Sequence, residues 1–171
     1  MADQLALPMD RCARRDARGD AGVARADTVA DHRAKAGRRP IGTIWRSNPR
    51  EQGLIGLTDA VGWFGANGYT VSVPLVDAQP YDLVVDGPDG LQRVQVKTTT
   101  YRNRAGRFVV KLATDGGNQS FHTRKRFDPN GCELLFVLTD DGSRYLIPTT
   151  AIRSTNTLTL GSCVRGYLVA P

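Results

Sequence analysis

Residues 80–97, PYDLVVDGPDGLQRVQVK, hold two β-rich runs joined by a short turn. Gly87-Pro88-Asp89-Gly90 is a strong turn signal, with its midpoint between Pro88 and Asp89. A hairpin centred there sets Asp82 opposite Gln95. Strand side chains alternate between faces. Leu83, Val85, Val94 and Val96 then share an apolar face, while Asp82, Gln95 and Lys97 share the other. A slip of one residue would mix the two sets, so the pattern itself supports the register.

The segments around this hairpin predict an α/β mixture without regular βα repeats. Residues 52–66 read as a helix, with Leu54, Leu57, Val61 and Phe64 recurring at spacings of three and four. Asn67-Gly68 is a good stop signal. YTVSVPLV, residues 69–76, predicts a strand with Val71, Val73 and Leu75 on one face. Pro74 places it at an edge or a strand end. RFVVKLAT is a further strand. GGNQS and FHTRKRFDPNG read as loops with a basic cluster. ELLFVLT is nearly continuous in apolar residues, as a strand buried on both faces requires. DDGS turns it back into RYLIP, and TLTL and GYLVA add short terminal pieces.

Residues 1–50 predict a flexible basic arm, and residues 51–171 a single domain. The arm holds 11 Lys/Arg against 6 Asp/Glu and few large apolar residues. The whole chain of 171 residues carries a net charge of +6, which favours a polyanionic partner. Residues 91–126 concentrate that charge: nine basic residues (Arg93, Lys97, Arg102, Arg104, Arg107, Lys111, Arg124, Lys125, Arg126) against one acid, Asp115. No apolar run approaches membrane-spanning length, and the start lacks the apolar core of a signal peptide, so the expectation is a cytoplasmic protein with no membrane partner. Cys12, Cys132 and Cys163 are odd in number and far apart, which suits isolated thiols rather than a zinc site or a disulfide framework.

The polar face of the hairpin has the makings of a cation site. Opposed side chains in such a pair lie within about 5.5 Å at Cβ. Asp82 offers a carboxylate, Gln95 an amide oxygen and Val96 a backbone carbonyl, the hard oxygen donors that Mg²⁺ takes. Such an ion polarises a phosphate and acidifies a bound water. Lys97, on the same face, is placed to orient or deprotonate that water, or to hold the phosphate. The remaining basic residues of 91–126 would grip the backbone of double-stranded DNA.

An Asp, a hairpin and then acid-or-amide-x-Lys resembles the pattern of the PD-(D/E)XK nucleases, the restriction-endonuclease-like superfamily. GYTVSVPLVDAQPYDLVV, VQVKTT, GGNQS, FDPNGCELLFVLTDDG and YLIP resemble, in order, the branch that includes intron-associated homing endonucleases. The likeness spans about residues 51–170. It implies a central mixed β-sheet flanked by helices. It also implies a metal-dependent endonuclease using Mg²⁺, with Mn²⁺ as a substitute. In that branch a Gln in place of the second acid is familiar. Asp82 and Gln95 become the metal-site positions and Lys97 the catalytic lysine. Many members carry a glutamate on the first helix within a G-x-I-G-E stretch. Here Gly53-Leu54-Ile55-Gly56-Leu57 puts a leucine in its place. Asp59, about 200° round the helix, is expected to face solvent.

Two alternatives share this core: a weakened or inactive DNA-binding module, and a nuclease selective for branched DNA. Recognition of a long site by so small a domain would gain reach from a homo-oligomer.

Overall fold

The computed structural model describes residues 48–76, 78–115 and 124–169. They belong to one unit, Gly42–Pro171. The expected arm, up to residue 47, and the GGNQS loop lie outside the described residues.

Helix α1 spans Pro49–Ala66. Its start is encoded by Asn48, whose side chain accepts the Arg50 N–H at 3.0 Å, and by Pro49 in the first turn. It ends at Asn67, and Gly68 takes φ 83, the left-handed region that glycine enters freely. The buried row is Gly56, Ala60 and Phe64, not the expected Leu54-Leu57-Val61-Phe64 stripe. Leu54 is 64% exposed, while Leu57 and Val61 pack at the margins. Small residues at Gly56 and Ala60 bring the helix close to the sheet. A Cβ at Gly56 would stand 2.3 Å from Thr98 Cγ2. Asp59, expected in solvent, instead grips Arg144 through two hydrogen bonds of 2.7 and 2.8 Å. That pair ties the helix to the sheet.

The strands are β1 (Thr70–Ser72), β2 (Leu83–Gly87), β3 (Gly90–Thr99), β4 (Val109–Lys111), β5 (Thr114–Asp115), β6 (Arg124–Lys125), β7 (Leu134–Thr139), β8 (Arg144–Pro148), β9 (Thr157–Thr159) and β10 (Leu168–Val169). The main sheet runs β1-β2-β3-β7-β8-β10. Its β3–β7 pairing is parallel and its other pairings are antiparallel, so the sheet is mixed and the fold is α/β, as expected. β4 pairs with β9, and β5 with β6, as separate two-stranded pieces. The first strand stops earlier than its apolar pattern implies. Val73, Leu75 and Val76 are exposed beyond Ser72, because β1 is an edge strand and Pro74 has no N–H to extend a ladder.

All six residues of β7 are buried, as the apolar run requires. Leu134, Phe136 and Leu138 pack with Leu83, Val85 and Val94 beneath Ala60 and Phe64 of α1. Leu135 and Val137 pack on the opposite side with Ile147, Val110, Leu112, Phe127, Ile152, Leu160 and Val164. Among the described residues that second layer is built from β4, β9 and the 3-10 segments Thr149–Ala151 and Ser162–Tyr167, not from an α-helix. Cys132 is a buried free thiol.

The hairpin forms in the expected register: Leu83 pairs with Val94, Val85 with Gln92 and Gly87 with Gly90. Gly90 takes φ 79 to close the Pro88-Asp89 loop. Gly87 has no room for a side chain, since a Cβ there would lie 2.3 Å from the Tyr69 ring.

Candidate active site

Asp82 stands one residue before β2 begins. Its N–H donates to the Val94 carbonyl at 2.9 Å, and its Oδ2 accepts the Val96 N–H at 2.6 Å. The backbone thus leaves the ladder here and the carboxylate fills the gap. A strand residue's N–H and C=O leave on the same edge. The Val96 carbonyl is therefore directed to the Asp82 side of β3.

Gln95 and Lys97 lie beside Leu135 and Val137 in the parallel pairing, so they belong to the sheet face away from α1. This face is not open solvent. Asp82, Gln95 and Lys97 line a cleft of about 200 Å³ together with Gln79, Pro80, Leu112, Thr114, Lys125, Arg126, Phe127 and Asp128. Burial lowers the Lys97 pKa from its ordinary value, and the nearby Asp82 charge opposes that shift without cancelling it. Gln95 Oε1 is buried and has no hydrogen-bond partner. An orphaned acceptor of this kind is costly unless a ligand completes it. Cys132 lies behind the site, and burial pushes its thiol pKa up to about 11, so it stays protonated and chemically quiet.

The basic residues separate by location. Lys125 and Arg126 are exposed and line the cleft. Arg124 is in β6 beside them. Arg104 and Arg107 are exposed in the turn after β3, whose backbone is fixed by Asn103 Oδ1 accepting the Ala105 and Arg107 N–H groups at 3.1 and 3.0 Å. Lys111 is exposed on β4. Arg93 is held by Glu133 (Nε to Oε2, 3.1 Å), and this pairing raises its pKa. Arg102 pairs with Asp141 at 2.9 Å and stacks over Phe108 at 3.5 Å.

Among the described residues no three His, Cys, Asp or Glu side chains converge on one point. The residues lining the cleft include Asp82, Gln95 and Asp128, which carry hard oxygens; Val96 is not among them, and its carbonyl is placed only by the Val96 N–H to Asp82 bond on that edge of β3. Hard oxygen donors fit Mg²⁺ or Mn²⁺ better than a softer ion. The orphaned Gln95 oxygen is the structural feature that such an ion would satisfy. No residue of α1 lines the cleft, and Leu57 packs against the core on the other face. The sequence did not single out Asp128 and Gln79. Asp128 sits in the polar DPNG turn, far from the hairpin in the chain; the FDPNGCELLFVLTDDG block that contains it bears the resemblance but singles out no site residue.

The structure is similar to that of a bacterial homing endonuclease, I-Ssp6803I, with a TM-score of 0.58 and 24% identity, covering 68% of this chain and 80% of that one. At that identity the likeness speaks for the fold. Among curated proteins none matches. The sequence profile of the PD-(D/E)XK endonucleases matches residues 47–160, a stretch that contains the hairpin, the residues lining the cleft and five of the six strands of the main sheet. The chain belongs to the PD-(D/E)XK endonuclease family.

Proposed function

We propose that this protein is a metal-dependent DNA endonuclease, homing-endonuclease-like, that hydrolyses phosphodiester bonds with Asp82, Gln95 and Lys97 as its catalytic residues. The observation that carries the proposal is the orphaned Gln95 Oε1, buried in the same cleft as Asp82 and a desolvated Lys97. Asp82, Gln95 Oε1 and the Val96 carbonyl would hold Mg²⁺, with Mn²⁺ as a substitute. When bound, the ion polarises the phosphate and makes the attacking water more acidic.

The chain's own residues do the rest. Asp82 fixes the site to β3 through the Val96 N–H. Lys97 takes the water's proton at Nζ when neutral, a state favoured by its burial. When charged, it stabilises the negative charge that builds on the phosphate. Lys125 and Arg126 grip backbone phosphates at the cleft, with Arg104, Arg107 and Lys111 extending the basic surface. Arg93 and Arg102 contribute less, because Glu133 and Asp141 already engage their guanidinium groups.

Supercoiled plasmid incubated with Mg²⁺ or Mn²⁺ tests the reading. Nicked or linear product with the metal and none with chelator is the expected result. Intact plasmid under both metals, with DNA still bound, would instead support the second reading, a DNA-binding module. The packing of Leu57 favours that reading, since the helix supplies no acid to the cleft.

A further inference from the structure

We infer that Asp128, which lines the same cleft as Asp82, is the second carboxylate of the cation site; this rests on the metal-dependent reading above. The cleft is lined by three cationic residues, Lys97, Lys125 and Arg126, against two acids, Asp82 and Asp128. A divalent cation beside three positive side chains is opposed by Coulomb repulsion, and one carboxylate is a weak answer to it. The helix offers none, because no α1 residue lines the cleft. Asp128 is the other acid on the lining.

Its position is built. Phe127 is buried, and its N–H donates to the Thr155 carbonyl at 3.0 Å. The Asp128 carbonyl accepts the Gly131 N–H at 3.1 Å, and its Oδ1 accepts the Asn130 N–H at 2.9 Å. Gly131 lies against Pro80, where a Cβ would be 2.9 Å from the Pro80 Cβ. Pro80 is two residues before Asp82, so the turns that carry the two carboxylates are packed on each other. The buried Gln95 Oε1, which has no hydrogen-bond partner and belongs to a residue lining the same cleft, is the feature that a cation there would satisfy.

The test is calorimetric titration of the full chain with Mn²⁺ in the absence of DNA, alongside thermal melts. Asp128→Asn keeps the oxygen that accepts the Asn130 N–H, so the melt should be unchanged. Its Kd for Mn²⁺ should rise by about tenfold or more. Cleavage should then need more metal for half-saturation and recover at high concentration. The double variant Asp128→Asn/Lys125→Gln restores the cleft's charge. It stays weak if Asp128 is a ligand; recovery of wild-type affinity would overturn the assignment. Asp128→Asn binding Mn²⁺ like wild type, while Asp82→Asn loses it, also removes Asp128 and leaves the metal-dependent reading standing. A wild-type chain that neither binds Mn²⁺ nor cleaves removes both.

Discussion

The Asp82 carboxylate accepts the backbone N–H of Val96 at 2.6 Å, so the acid before β2 is fastened to the strand that carries Gln95 and Lys97. Two variants at this residue therefore separate structure from chemistry. Asp82→Asn keeps an oxygen for the Val96 N–H. It should abolish metal-dependent cleavage while leaving the melt and DNA binding nearly unchanged. Asp82→Ala should abolish cleavage too, and should also lose about 1–3 kcal/mol from the unpaired N–H. Cleavage and thermal melts on both variants check this. Full cleavage by either one removes the hairpin site from consideration.

Lys97 carries a stability cost for its place in the cleft. Burial lowers its pKa, so the folded state disfavours its charged form. The sign follows from linkage: the unfolded chain holds that proton more tightly, so Lys97 favours folding least at pH values below its folded pKa. Replacing it by Met, which fills similar space without the charge, should raise the melting temperature at neutral pH and abolish cleavage together. A lower melting temperature would show that the Lys97–Asp82 attraction outweighs desolvation, contrary to the direction of the shift.

DNA affinity should fall steeply with salt, and the slope should be traceable to residues. Each lost phosphate contact reduces the slope of log K against log[salt] by about one unit. Neutralising Arg124, Lys125 and Arg126 together should weaken binding and flatten that slope. Arg93→Gln and Arg102→Gln should change it less, because both guanidinium groups are engaged within the fold. An equal slope before and after the triple change would make the 124–126 cluster an ordinary solvated surface.

How far the sequence could be read depended on the range over which each signal acts. The hairpin was legible, because a period of two and a four-residue turn are local and set the register between them. β7 was legible because a strand covered on both faces has no polar positions to disguise it. The buried row of α1 was not. Gly56 and Ala60 add little to an apolar pattern, yet their smallness is what lets the helix approach β3. Asp59 was misjudged as solvent-facing, and the Arg93–Glu133 pair was not foreseen, because the partners, Arg144 and Glu133, lie 85 and 40 residues away. Asp128 was not singled out for the same reason: only the return of the chain over the sheet brings it to the cleft that Asp82 also lines.

The Gly56–Thr98 contact gives a test of the helix placement. Glycine to alanine inside a helix ordinarily gains about 1 kcal/mol. Here the added methyl would meet Thr98 Cγ2 at 2.3 Å, and overpacking typically costs about 1–3 kcal/mol. Thr98 is β-branched and stiff, so it yields poorly. Gly56→Ala should therefore destabilise the domain. Thr98→Ser deletes the offending methyl, and the double variant should recover most of the loss in denaturant melts. A stabilised single variant would place α1 farther from β3.

Leu57→Glu restores the acid that the wider family carries on this helix. In this chain it should fail to build a metal ligand. Leu57 packs against the apolar cluster beneath α1, and none of the residues that line the cleft belongs to α1. The new carboxylate would lose solvent without gaining a cation. Its partial burial should cost roughly 1–3 kcal/mol. The melting temperature should drop, while the Kd for Mn²⁺ stays at the wild-type value. Asp128→Asn should do the reverse, sparing the melt and weakening the metal. That opposition separates a side chain in the core from one in the cleft. A Leu57→Glu protein with an unchanged melt and tighter Mn²⁺ binding would mean that position 57 reaches the cation. The first helix would then face the site, and the case for Asp128 as the compensating acid would lose its main support.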